Sequence, residues 1–503
     1  MSHHCISSRR FVHALAAVLL PVLAACATVQ SPQRAHLQSV DASLQACARW
    51  FVQLDAVVRS AGVADAGAQR IAGFPYLRSD RFHGALGETA RANTPDFTAW
   101  LEALRDLDSD ARRVEIANLP ASSIEGLGVA GREAAIVRSK ECAGRLLVAD
   151  LDGDAVRAQL VQRARVADDY STLKRGFGLY AIALWPFSHG IRAWQRDAVQ
   201  TIEAARAGEP PQAPLSRYQP PANPIYTRAQ VAALLDRAAL MPFGVPAFSA
   251  EERDRLFVTY APLLEVETAA DSDRIGALFW GDADSPQVDV SRPTLYRRLA
   301  YTRIDERTIV QLVYTAWFPA RPKRHVFDLL GGHLDGIVWR VSLAPDGEPM
   351  LYDTIHPCGC FHMFFPTARV AALPSPGGRI EWAFVPAAVP SLQDGERMLV
   401  SVQTGSHYLR NVSVAGDLAG TRYAFADYED LRSLPLPGGG TRSVFGPDAL
   451  VPGTQRGERF LFWPMGIDSA GAMRQWGRHA TAFVGRRHFD DADLIERRFR
   501  LLR

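Results

Sequence analysis

The stretch "GIVWRVSLAPDGEPMLYDTIHPCGCFHMFF", residues 336–365, decides how the second half of the chain is read. Its runs "GIVWRVSL" and "PMLYDTIH" are rich in β-branched and aromatic residues. The "APDG" between them is turn chemistry: Pro345 presets φ, Asp346 favours a tight reversal and Gly347 accepts positive φ. The pattern predicts an antiparallel hairpin. Working outward, "RTIVQLVYTAWF" (307–318) reads as a long strand, and "RIEWAFVP" (379–386) and "RMLVSVQTGSHYL" (397–409) continue the series. A short helix, "TRAQVAALLDRAAL", precedes them. Residues 229–503 therefore read as a mainly antiparallel β-sheet or sandwich domain.

Upstream the period changes. Leu37, Val40, Leu44, Cys47, Phe51, Leu54 and Val58 recur at steps of three and four, one apolar stripe on a helix that Gly62 ends. In "NTPDFTAWLEALRDL", Thr94 suits a cap, Pro95 suits the first turn, and Phe97, Leu101 and Leu104 face inward. Helical patterns also cover about 131–150 and 153–170, and "GFPYLRSDRF" (73–82) reads as an ordered connection docked by its aromatics. The apolar run "GFGLYAIALWPF" (176–187) is too short to span a bilayer. Buried core is the expectation there; a membrane-surface contact or a docking face for a partner is the alternative. A helix with Ile191, Trp194, Ala198 and Ile202 on one side follows. Pro210, Pro211, Pro214, Pro220, Pro221 and Pro224 then mark a semi-rigid linker or surface arm. The class is α+β: a helical domain over 37–206, a proline-rich linker over 207–228 and the β-rich domain after it.

The chain's 503 residues, 48% of them hydrophobic, suffice for more than one core. A formal net charge of +2 and scattered arginines give no bulk argument for nucleic acid as a partner. Arg9 and Arg10 precede the apolar run "FVHALAAVLLPVLAA", which has the charged start and small-residue end of a signal peptide over 1–25. Leu23-Ala24-Ala25-Cys26 resembles the lipobox of bacterial lipoproteins. The resemblance implies a lipid-modified Cys26 as new N-terminus and a polar tether over 26–36. Ala27 stands where an inner-membrane retention signal carries Asp, which implies a lipid-anchored, periplasm-facing protein of the outer membrane. The rest of the chain resembles no family beyond uncharacterised bacterial lipoproteins.

That compartment is oxidising, so thiols there tend to pair. With Cys5 removed and Cys26 acylated, Cys47, Cys142, Cys358 and Cys360 remain. Cys47 and Cys142 share the helical half and are expected to bridge. Cys358 and Cys360 fall in "HPCGCFH", the densest functional clue. On a straight strand His356, Cys358, Cys360 and His362 would point one way at steps of ~6.6 Å, too far apart for one metal ion. Pro357 and Gly359 predict a bend. Three readings follow. His356, Cys358, Cys360 and His362 bind zinc or copper, with help from His333, His407 or Asp335. Alternatively, Cys358 and Cys360 form a strained, reducible disulfide beside His356. In the third reading the thiols only pack and the histidines hydrogen-bond to backbone. Asp335 and Asp353 are expected to be solvated or turn-forming, and Arg478, His479, Arg486, Arg487 and His488 a solvated basic face. No Walker loop, GxSxG or HExxH occurs. A metal-dependent or thiol enzyme and a non-catalytic envelope protein with a protein partner both stay open.

Overall fold

The computed structural model describes residues 31–502 apart from 88, 91–93, 152, 153, 283 and 417. Cys26 and the signal-like run lie outside the described residues. The fold is α+β, with helices in the N-terminal half and sheets in the C-terminal half.

Helix Ala42–Ser60 begins where Asp41 accepts hydrogen bonds from the Ser43 and Leu44 amides, and it buries Cys47, Phe51, Leu54 and Val58 as the stripe predicts. Thr94 caps helix Pro95–Asn118 by accepting from the Phe97 amide. The third long helix, Arg132–Asp150, carries Cys142. The Cys47–Cys142 disulfide joins the first helix to the third, and Trp50 Nε1 donates to Ser139 Oγ between the same two helices at 3.0 Å. Residues 73–82 are more regular than expected: Phe74–Ser79 is a strand paired with Gln69–Ile71, and Phe74, Tyr76 and Phe82 are buried.

Six strands form the larger sheet, in the order Met363–Pro366, Pro349–Ile355, Gly332–Leu343, Arg307–Arg321, Thr294–Ile304, Ala424–Asp427. The predicted hairpin pairs Tyr352 with Val341 and Thr354 with Trp339, and Gly347 takes φ +80° in its turn. Side chains alternate along Arg307–Arg321. Leu312, Tyr314 and Phe318 meet Leu264, Val266 and Val400 of a second, five-stranded sheet in one core. Val313 and Trp317 face the irregular C-terminal segment through Val451, Met473 and Phe489. Both faces are covered, so this strand reads as a continuous apolar run.

Several expectations fail. The tether expected over 26–36 is ordered in its described part: Pro32–Leu37 is a helix whose buried His36 meets Asp150 at 2.7 Å, and Val40, placed on the apolar stripe, is fully exposed between that helix and Ala42–Ser60. Residues 379–386 carry no strand; their backbone crosses the sheet end, with Phe364 N donating to Phe384 O at 2.9 Å and Glu381 N to Val484 O at 2.8 Å. The proline-rich stretch holds strand Leu215–Gln219, paired with Leu263–Glu267 between the prolines that bracket it. The run 176–187 is not buried core: Phe177 is 82%, Ile182 68% and Trp185 57% exposed. Leu179, in the left-handed region, starts helix Tyr180–Arg206. That helix packs through its other side, where Trp194, Ala198 and Ile202 join the sheet core.

Candidate functional site

The 356–362 loop bends as Pro357 and Gly359 predict. Gly359 has φ +90° and Phe361 φ +62°. The loop closes on itself through Gly359 N to His356 O (2.7 Å) and His356 N to Cys360 O (3.0 Å). A Cβ on residue 359 would stand 2.7 Å from Ala480 O, so glycine is required there.

The bend does not gather the predicted donors. His356 Nδ1 lies 3.1 Å from Asp335 Oδ1, and His407 Nδ1 lies 2.9 Å from Asp335 Oδ2. His407 Nε2 reaches Asp273 Oδ1 at 3.2 Å, and its ring stacks on Phe318 at 4.0 Å. His362 Nε2 donates to Asp353 Oδ2 at 2.9 Å; Asp353 also pairs with Arg340. His333 Nε2 sits 2.7 Å from Pro286 O. Cys358 and Cys360 are buried free thiols. Among the described residues no group of three or more His, Cys, Asp or Glu side chains is placed to hold a metal ion.

The row Asp273–His407–Asp335–His356 is buried, which corrects the expectation of a solvated Asp335; Asp353 is buried as well. Burial alone would raise the Asp335 carboxyl. The His356 and His407 hydrogen bonds, with Arg456 nearby, hold it well below the usual carboxylate range. Burial opposes charge on His407, yet its bonds to Asp273 and Asp335 raise its pKa, favouring an imidazolium between the two carboxylates. Burial wins at His356 and lowers its pKa. Leu334 and His407 also take positive φ, so the row locks strained backbone at Leu334, next to Asp335, and in the loop that follows Arg397–Val402. Its chemistry is that of a clamp joining the 356–362 loop to both sheets.

Cys360 is not a poised nucleophile. Its hydrogen bond with Cys358, reinforced by burial, pushes its thiol well above the ordinary value. Glu458 stands near this cluster; burial pushes its pKa up to about 7 against the pull of Arg456 and Arg321. Of the C-terminal basic cluster, His479, Arg487 and His488 are buried, Arg478 is half-buried and Arg486 is exposed, so the expected solvated face holds only in part. Arg487 instead donates to Thr481 O at 2.7 Å and to Trp382 O at 3.0 Å.

An apolar cleft of about 390 Å³ opens between helix Tyr180–Arg206 and the 356–362 loop. Phe187, Trp194, Phe361, Phe384, Phe462 and Phe483 are its aromatic wall, and Gln195, Cys360, His362, Glu381, Thr481 and Arg487 contribute the polar side chains. Burial raises the Glu381 carboxyl against the pull of Arg487 and of the Phe483 and Val484 amides that donate to it, and burial lowers the His362 imidazole to about 3, so that imidazole is neutral. His362 is oriented by Asp353 through Nε2, and its buried Nδ1 has no hydrogen-bond partner among the described residues. Sequence reasoning missed Glu381, Glu458 and the cleft, because the wall comes from five distant segments and no local pattern links them. It also missed Gly126-Leu127-Gly128-Val129-Ala130-Gly131, a GxGxxG spelling. Helix Ala121–Glu125 precedes it where a dinucleotide fold needs a strand, so it carries no such function.

Compared with known proteins, the chain matches no family, no curated protein and no solved structure.

Proposed function

We propose that this chain is a lipid-anchored, periplasm-facing envelope protein that binds an apolar ligand of acyl-chain character in the cleft beside the 356–362 loop. The observation that carries the reading is the cleft itself: about 390 Å³, with aromatic and aliphatic walls and few polar groups. That size and composition suit a small-molecule site. His362 is neutral, and Glu381 and Arg487 are already paired with backbone groups, so the walls suit the hydrocarbon chain of a ligand. Cys358 and Cys360 serve loop packing in this reading. The Cys26 context supports the anchor, and no described helix is long and apolar enough to cross a membrane. A zinc or copper centre has less support, since His356 and His407 bond to Asp335, His362 to Asp353 and His333 to a backbone carbonyl.

Titration with a fluorescent fatty acid tests the reading. Gly190 lines the cleft, and a Cβ there meets nothing within 4 Å. Gly190→Phe should fill the mouth without harming the helix, weakening probe binding at least tenfold with melting unchanged. Equal affinity in the two proteins would overturn the assignment.

A further inference from the structure

One surface feature is not used by the cleft. Leu173, Phe177, Leu179, Ile182, Trp185 and Phe460 are each more than half exposed, with Phe177 at 82% and Leu173 at 74%. They come from two parts of the chain that meet. Ser171 N donates to Gly466 O at 2.8 Å. The Phe187 and Phe462 rings lie 5.0 Å apart. A Cβ on Gly178 would stand 2.6 Å from Pro464 Cα. The result is one apolar face, larger in character than the scattered exposed side chains of ordinary surfaces.

We infer that this face is a membrane-contact surface, seated at the headgroup–acyl boundary of a leaflet that carries anionic phospholipid. Charge points to that occupant. Residues 170–196 contain no acidic side chain, while Lys174, Arg175, Arg192 and Arg196 fall within them. Lys174 pairs with Asp468. Cations and rings interleave at the rim: the Arg379 guanidinium lies 2.9 Å from the Trp185 ring centre and that of Arg459 4.6 Å from the Phe460 ring centre. Half-exposed Trp185 and Trp463 match the aromatic anchors of interfacial segments.

The chain's entry point agrees. Residues 26–31 extend at most about 17 Å, so an acylated Cys26 keeps the leaflet that close to Ser31. Gln33 N, just beyond, donates to Gly73 O at 3.1 Å. Arg163, whose Nη1 donates to neighbouring Ala72 O at 3.0 Å, is followed after a short connection by helix Thr172–Phe177 at the edge of the face. Phe187, Leu461 and Phe462 belong to the cleft wall, so the face lies beside the cleft mouth. This inference extends the ligand reading by naming the membrane as the source of the ligand, but it stands on different residues.

The test uses the mature chain from residue 27, which carries neither the signal-like run nor an acylated cysteine, floated with vesicles of phosphatidylethanolamine and phosphatidylglycerol. Adding Ile182→Glu and Trp185→Glu should lower the vesicle partition coefficient at least tenfold with unchanged melting, and vesicles of phosphatidylcholine alone should bind the parent less. Should the double variant melt lower, Phe177→Ser replaces it, with a smaller loss expected in the same direction. Equal partition of parent and variants, whatever its level, would overturn the inference. So would retained partition accompanied by loss of a crosslink from this face to an envelope protein. Acylation of Cys26 is read separately from the mass of the native chain, and fatty-acid binding without vesicles tests the cleft, so each claim fails alone.

Discussion

Replacing Glu458 by Gln should reverse part of the protein's response to alkali. Glu458 is 5% exposed, and burial lifts its carboxyl from 4.5 to about 7 while Arg456 and Arg321 only partly offset that burial. A raised carboxyl contributes stability that is complete below its unfolded value and is lost as pH climbs through the folded one. Between pH 5 and pH 8 the parent therefore loses about 2 to 3 kcal/mol that the amide does not lose. Unfolding entropy scales with chain length, which makes this about 2 to 3 °C for a chain of this size. The assay is thermal melting of both proteins at pH 5 and pH 8. The difference in Tm, variant minus parent, should grow in the variant's favour by about that amount. Titrations shared by both proteins cancel in the subtraction, and a constant offset from the substitution is irrelevant. A difference that is flat or shrinks with pH would refute the claim that burial, not the arginines, governs this carboxyl.

Other outcomes follow from the same geometry. Asp335→Asn leaves His407 and Arg456 without their shared carboxylate and should destabilise by about 3 to 5 kcal/mol; a melt unchanged to within a degree would remove the clamp from the account. Cys47→Ala should lower stability by about 4 kcal/mol under non-reducing conditions, given the 95-residue separation of the bridge, and parent-like melting would argue against the bridge's contribution. Cys358 and Cys360 should react slowly with a thiol reagent in the native protein at neutral pH and yield two thiols on denaturation. Rapid native labelling would contradict the raised Cys360 pKa, and absence of thiols would mean a disulfide.

The sequence was most legible where one segment decides its own structure. The hairpin around Pro345, Asp346 and Gly347 follows from turn chemistry, and Thr94 and Pro95 announce their helix start. Cys47 and Cys142 sit on apolar faces of helices that must pack, so their pairing was also legible. The bend at 356–362 was readable from Pro357 and Gly359, but its consequence was not. A bend fixes backbone direction, while side-chain partners come from Asp335, Asp353 and Ala480, which no local spacing reveals. Apolar composition misled at 176–187, because helix Tyr180–Arg206 needs only the Trp194, Ala198 and Ile202 side to pack, and hydrophobicity alone does not say which side is covered. Asp335 and Asp353 misled in the opposite direction: carboxylates near turns are usually wet, and only the approach of His356, His407 and Arg340 makes their burial tolerable.

Occupancy of the cleft is read directly from a crystal structure of the protein soaked with a terminally brominated fatty acid, with data collected at the bromine edge. One anomalous peak is expected among Trp194, Phe361, Phe462 and Phe483, lost in Gly190→Phe crystals. A peak confined to other surfaces, or the same peak in the Gly190→Phe protein, would contradict that occupancy.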